Sequence, residues 1–285
     1  MHTIVGLGQA GCRIAEGFRR YKNYDIYKID TGIEDSKWTY SLPQQAHPEM
    51  YEEHCPNLDE FFKDIEGEVL FILSGGGLIS GCALRVLEGL KKNTINILYV
   101  RPDISFLSPI RKLHERVVFN VLQEYARSAV FKRLLIVDNA TLEKNIGNIP
   151  VVGFYERINE AITPVIHMLN VFGHIDSVED NFSDPLETCR ISTIGMYEFD
   201  SGEENMFFPL EKTREVCYYY AINKKELESD GTLMNKIKKQ LKEKNKDLKI
   251  SYGIFSTNYP KKYVYVMSHS STIQKGEEDV KSESV

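Results

Sequence analysis

The chain has 285 residues, enough for one large domain or two ordinary ones, and its 42% hydrophobic and 11% aromatic content can supply a sizeable core. A formal net charge of −6 argues against a generally basic nucleic-acid surface, so no direct nucleic-acid binding is expected. No apolar run approaches the roughly 18 residues of a spanning helix. The first residues enter a strand at once, so a cytoplasmic protein without membrane insertion is expected.

Cys12, Cys55, Cys82, Cys189 and Cys217 are scattered, with no CxxC pair and no histidine at ligand spacing. They read as reduced thiols, with neither a metal site nor a disulfide framework. Cys12 and Cys82 lie inside glycine-rich turns, where a small side chain packs.

His2 to Val5 reads as a short strand running into Gly6-Leu-Gly8-Gln-Ala-Gly11, and Cys12 to Tyr21 continues as an amphipathic helix. This GxGxxG fits a dinucleotide fingerprint, and Asp30 at the end of the strand Asp25–Asp30 supplies the carboxylate such a site needs about 20 residues on. Thr31-Gly32 opens an irregular polar excursion to about Pro56, containing Trp38, His47 and His54. A short helix is expected near Asn57 to Ile65.

The apolar run Val69 to Leu73 reads as a buried parallel strand. It ends in Ser74-Gly75-Gly76-Gly77-Leu78-Ile79-Ser80-Gly81 and turns directly into the helical spacing of Cys82 to Leu90. Glycines between a strand and a helix let backbone N–H groups approach an anion, with the helix dipole behind them. A second glycine loop argues against a dinucleotide enzyme, because one such loop suffices for a pyrophosphate. Further strands follow at Ile95–Val100 and Leu134–Val137, with a helix of about 20 residues from Pro109 between them. This alternation predicts an α/β fold with a doubly wound, mostly parallel sheet, whose strand ends gather Gly6 to Gly11, Asp30-Thr31, Ser74 to Gly77, Arg101 to Ser105 and Asp138-Asn139 into one crevice.

A long core helix runs from Val152 to Phe172, with a kink or restart expected at Pro164. The acidic stretch Asp176, Glu179, Asp180, Asn181, Asp184, Glu187 is either a solvated linker or a set of carboxylates presented to a ligand bound elsewhere. From Arg190 the pattern becomes α+β: strands at Ile191–Tyr197, Val216–Ile222, Leu248–Tyr252 and Tyr263–Met267, with a lysine-rich helix Thr232–Lys244. The expected divisions are residues 1–172, the acidic loop 173–189, an α+β unit 190–269 and a disordered tail 270–285, free for a partner.

The order of these pieces resembles the tubulin and FtsZ superfamily over nearly the whole chain. Gly8-Gln-Ala-Gly-Cys-Arg-Ile14 is similar to tubulin's first glycine loop, and Ser74 to Gly81 to the GGGTGSG signature. Val137-Asp-Asn-Ala-Thr-Leu142 is similar to VDNEAL, and Tyr155 and Asn159 keep the YxxxN spacing at the start of the core helix. One helical turn puts Tyr155 and Asn159 on the same face, so a ring can stack on a base while an amide reads its edge.

The resemblance implies a GTPase domain binding GTP or GDP, with Mg2+. Asn139, Tyr155 and Asn159 would contact the guanosine, and Gly8, Gln9, Ala10, Gly11 and Ser74 to Gly77 (Ser74, Gly75, Gly76, Gly77) would wrap the phosphates, with Asp30 and Thr31 beside them. It implies a head-to-tail homopolymer in which the acidic loop enters the neighbouring subunit's pocket. Against the family pattern Asn-x-Asp-x-x-Asp/Glu the best match is Glu179 to Asp184, making Asp184 the catalytic candidate, with Asp180 and Asn181 beside it. Leu78 stands where the signature has threonine and Ile79 where it has glycine, so a nucleotide-binding adaptor without hydrolysis is the alternative. Compact members of this kind are typical of bacteriophages and plasmids, which would make the compartment a host cytoplasm.

Overall fold

The computed structural model describes residues 2–244 and 247–275. In chain order the elements are β1 (Thr3–Leu7), α1 (Gly8–Gly17), β2 (Asp25–Thr31), β3 (Thr39–Leu42), α2 (Pro48–Glu53), β4 (Glu68–Ser74), α3 (Ala83–Glu88), β5 (Thr94–Arg101), α4 (Pro109–Arg127), β6 (Arg133–Asp138), α5 (Asn139–Ile146) and α6 (Phe154–Phe172). There follow β7 (Glu179–Asp180), β8 (Ile191–Tyr197), β9 (Glu204–Met206), β10 (Glu215–Asn223), α7 (Lys224–Ser229), α8 (Leu233–Lys242), β11 (Lys249–Thr257) and β12 (Tyr263–Ser270).

The first six strands are parallel in the order β3-β2-β1-β4-β5-β6, as the alternation predicts. The order reverses between β1 and β4, and that switch point opens a crevice beyond the strands' carboxyl ends. Apolar alternation splits each strand between two helical layers. Val69, Phe71 and Leu73 of β4 join the core that also holds Phe119 and Leu122 of α4. Leu70 and Ile72 join Ile14 of α1 and Ile158, Ile162 and Ile166 of α6. Burial on both faces explains why β4 reads as an unbroken apolar run.

The α+β part has the expected mixed sheet but continues the first one. β8 hydrogen-bonds β6 in parallel through Leu134–Ile191 and Leu135–Ser192. Antiparallel β12 and β10 follow, then β11 parallel to β10. Its own core sets Leu233 and Ile237 of α8 against Val216, Tyr218 and Val266.

Four expectations need correction. The polar excursion is not irregular throughout: β3 pairs with β2, and Pro48 at the first turn starts α2, whose Tyr51 is buried. Asn57 to Ile65 forms turns instead of a helix, with the Asn57 side chain accepting from Asp59 N at 2.7 Å and competing with the helical ladder. Leu58, Phe62 and Ile65 are nevertheless buried there. α6 runs unbroken through Pro164; Glu160, whose carbonyl loses its partner to the proline, is an exposed residue, while the opposite stripe is held by the core. The expected tail starts too early, because Gln274 is buried and its backbone N donates to Gln123 Oε1 of α4 at 2.6 Å. Residues 276–285 of that tail lie outside the described residues.

Candidate nucleotide site

The first glycine loop is set by contact. β1 passes into α1 at Gly8, whose φ of +70° suits glycine. Gln9 is exposed and Ala10 partly so, and the unpaired N–H groups of this first helical turn face the crevice. Cys12 Sγ donates to Gly6 O at 3.3 Å, and burial, reinforced by Asp30, pushes the thiol up to about 12. It is a packing residue. Asp30 is the next-to-last residue of β2 and accepts from Thr31 N at 2.9 Å, with burial raising its pKa.

The second loop departs from expectation. Ser74 ends β4, but a 3-10 turn, Leu78–Cys82, separates the glycines from α3, which has only 6 residues. The helix N-terminus directly behind a glycine loop is therefore that of α1, not α3. A side chain on Gly75 would collide with the Tyr99 hydroxyl. That hydroxyl donates to Glu115 Oε1 at 3.0 Å, and Arg101 Nε donates to the same oxygen at 3.2 Å. Burial raises the Glu115 pKa against the pull of Arg101 and Tyr99. One residue earlier on α4, His114 Nε2 lies 2.9 Å from Ser80 Oγ, which donates to Gly77 O at 2.6 Å. Burial lowers the His114 pKa, favouring the neutral ring.

Sequence reasoning missed this support. Its signals were a tyrosine and an arginine closing the apolar strand β5, and a glutamate sharing the core spacing of Val118, Phe119 and Leu122.

Ile79 lies between the two loops. Its Cγ2 methyl stands 2.6 Å from where a Cβ on Gly8 would lie and 3.7 Å from that of Gly77. Leu78 and Ile79 are half-buried, and both pack on the core beneath.

On the far wall, Asp138 caps α5 by accepting from Thr141 N at 2.8 Å. Beside it, Asn139 Oδ1 is buried without a hydrogen-bond partner among the described residues. Such an acceptor costs about 1–3 kcal/mol unless a donor reaches it. α6 enters from Gly153, packs on α1 where Gly17 meets Thr163, and carries the Arg13–Glu156 pair at 4.0 Å across the same seam. Its Ile158 side faces the core, leaving Tyr155 more than half exposed and Asn159 half-buried. Gly8 to Gly11, Asp30, Thr31, Ser74 to Gly77, Asn139, Tyr155 and Asn159 thus share one end of the sheet.

Asp180, Asn181 and Asp184 do not. They follow α6, whose 19 residues span about 28 Å. The loop is no free coil: β7 pairs with β11, Asn181 Oδ1 accepts from Tyr252 N at 2.7 Å, and the Asp180 carboxylate holds Ser177 Oγ and Phe182 N. The Phe182 ring lies 5.2 Å from that of Tyr219. Asp184 is exposed, and among the described residues only its carbonyl is engaged, by Lys249 Nζ at 3.0 Å. Among the described residues, no His, Cys, Asp and Glu cluster is arranged to hold a metal ion, and no helix is long and apolar enough to cross a membrane.

The sequence matches no protein-family model and no curated protein. Solved structures do match. A GTPγS-form protofilament of TubZ from Bacillus thuringiensis serovar israelensis is 15% identical, with a TM-score of 0.73 over 94% of this chain and 86% of that one. GDP-bound CetZ1 from Haloferax volcanii is 17% identical, with a TM-score of 0.70 over 95% and 94%. An empty FtsZ dimer from M. jannaschii is 14% identical, with a TM-score of 0.68 over 94% and 87%. With the strand order, the paired glycine loops and the core helix in place, the chain has the fold of the tubulin and FtsZ superfamily.

Proposed function

We propose that the chain binds GTP or GDP in this crevice and assembles head to tail into filaments, with hydrolysis completed by the acidic loop of the next subunit. The observation that carries the nucleotide is Asn139 Oδ1, a buried acceptor awaiting a donor, which a ribose hydroxyl or a guanine amine would provide. Tyr155 would stack on the base, Asn159 would read its edge, and the α1 N-terminus with Gly75 to Gly77 would receive the phosphates. A bound nucleotide with Mg2+ would supply the phosphoryl chemistry; this chain's part is positioning, since phosphoryl transfer is mostly orientation and charge stabilisation.

Assembly is supported by the separation of parts. Val151 and Val152, 92% and 91% exposed, lie just before α6, while Val178 and Leu186, 59% and 55% exposed, lie beyond its other end. Apolar surface at opposite ends of one axis suits a heterologous contact that repeats without closing. Asp184, whose carboxylate has no partner among the described residues, would hold the attacking water for the neighbour, with Asp180 and Asn181 shaping the loop. Purified protein should carry guanine nucleotide, pellet with GTP and magnesium, and release phosphate only above a critical concentration. Protein that stays monomeric and carries no guanine nucleotide would rule this reading out.

A second reading, a nucleotide-binding adaptor without hydrolysis, is favoured by the Ile79 methyl between the loops. It predicts binding without turnover, and turnover restored by Leu78→Thr with Ile79→Gly. A double variant as silent as the wild type would remove its basis.

A further inference from the structure

A second cavity lies at the opposite end of the sheet from the glycine loops. It has a volume of about 310 Å³ and lies between the C-terminal half of α6 and the amino ends of β4, β5 and β6, with Tyr219 and Met267 closing the far side. Leu135, Ile166, Leu169 and Met267 give it apolar walls. Its polar groups include one whose charge is not answered.

That group is Arg133. Among the described residues its Nε is buried with no hydrogen-bond partner, and one terminal nitrogen meets only the Met267 thioether, at 3.1 Å. Burial lowers its pKa from the ordinary guanidinium value. The carboxylates near enough to favour its charge are engaged elsewhere. Glu68 accepts from Lys132 Nζ at 2.9 Å and from Asn96 at 2.7 Å; burial alone would raise its pKa, and these two partners bring it below the ordinary value. Glu215 pairs with Lys249 at 3.3 Å and accepts from Leu186 N at 2.8 Å. Lys132 and Glu68 neutralise one another, so Arg133, part-buried with its Nε fully enclosed, makes no ion pair of its own among the described residues. A buried donor left without an acceptor costs about 1–3 kcal/mol, more in a charged group, unless an acceptor meets it.

We propose that this cavity binds a small amphipathic carboxylate, its head taken by the Arg133 guanidinium and its aliphatic body lying along Leu135, Ile166, Leu169 and Met267. A guanidinium fork matches a carboxylate in two parallel hydrogen bonds, and a pocket of this size, lined about equally by apolar side chains and by polar groups such as Asn96 and Asn170, suits a small amphipathic ligand better than a protein segment.

Octanoate and octanol are the probes, since they share a body and differ in charge. In titration calorimetry on the full chain, octanoate is expected to bind saturably with Kd below about 1 mM and octanol about tenfold more weakly. Arg133→Met, of similar length and no charge, should weaken octanoate about tenfold and leave octanol unchanged. Octanoate that fails to saturate by about 5 mM, or that binds wild type and Arg133→Met alike, overturns the proposal. If Arg133→Met does not fold, Leu169→Trp keeps the guanidinium and fills the apolar end; octanoate binding that survives it also overturns the proposal.

Discussion

Single atoms decide what this site can do. Asn139 Oδ1 is a cost to the empty chain and, on the proposed reading, a contact for the nucleotide, so Asn139→Ala should weaken GTP binding about tenfold while leaving the thermal stability of the nucleotide-free protein equal or slightly higher. Equal GTP affinity in a fluorescence titration would remove Asn139 from the site. Gly75→Ala drives a methyl into the buried Tyr99–Glu115 contact and should cost about 1–3 kcal/mol in urea unfolding. A neutral result there would mean that α4 does not brace the loop. His269 gives the pH signature. It is buried, shares a hydrogen bond of 2.7 Å with Ser192, and burial, then Arg133 and Lys249, lower its pKa to about 3. Its folded pKa lies below the unfolded value, so its contribution is fully present above about pH 6.5 and is lost as pH falls from there towards 3, at about 1.4 kcal/mol per pH unit. His269→Gln should flatten the urea midpoint between about pH 6.5 and 5. An unchanged slope would show that another group sets it.

At the scale of elements, α6 is the axis. Its buried stripe of Ile158, Ile162, Val165, Ile166 and Leu169 holds the helix straight through Pro164, so Pro164→Ala should restore a backbone hydrogen bond and stabilise the chain by up to about 3 kcal/mol. A loss of stability would mean that the helix is shaped around the proline. The local pattern found this helix to within two residues but not its continuity, because the proline rule is local and the compensating burial comes from β1, β4 and β6. The reverse holds for Asn57 to Ile65, where helical spacing of Leu58, Phe62 and Ile65 is real but nine residues closed by side-chain hydrogen bonds settle into turns. β3 and β7 are legible only once β2 and β11 exist to pair with them, since strands of four and two residues carry almost no periodicity.

For the whole molecule, the length of α6 separates the crevice from Asp184, so on the proposed reading a chain would not complete its own site. Asp184→Asn should leave GTP binding and pelleting intact and lower phosphate release about a hundredfold or more. Mixed with Asn139→Ala protein, which keeps its acidic loop, at GTP too low to fill the altered pocket, it should release more phosphate than either variant alone, because some interfaces then set its intact pocket against the other chain's intact loop. Strictly additive rates would place the water-holding group elsewhere. The sequence alone determined the alternation of strands and helices, the two glycine loops and the Asn139, Tyr155 and Asn159 spacing, because each is written in local periodicity or in residues a turn demands. Only the tertiary structure decided that one sheet runs through both halves, that Tyr99, Arg101 and Glu115 brace the second loop, that Ile79 spans the gap between the loops, and that Asn181 closes a sheet edge. Those depend on which distant residues meet, and burial and pairing are properties of the meeting.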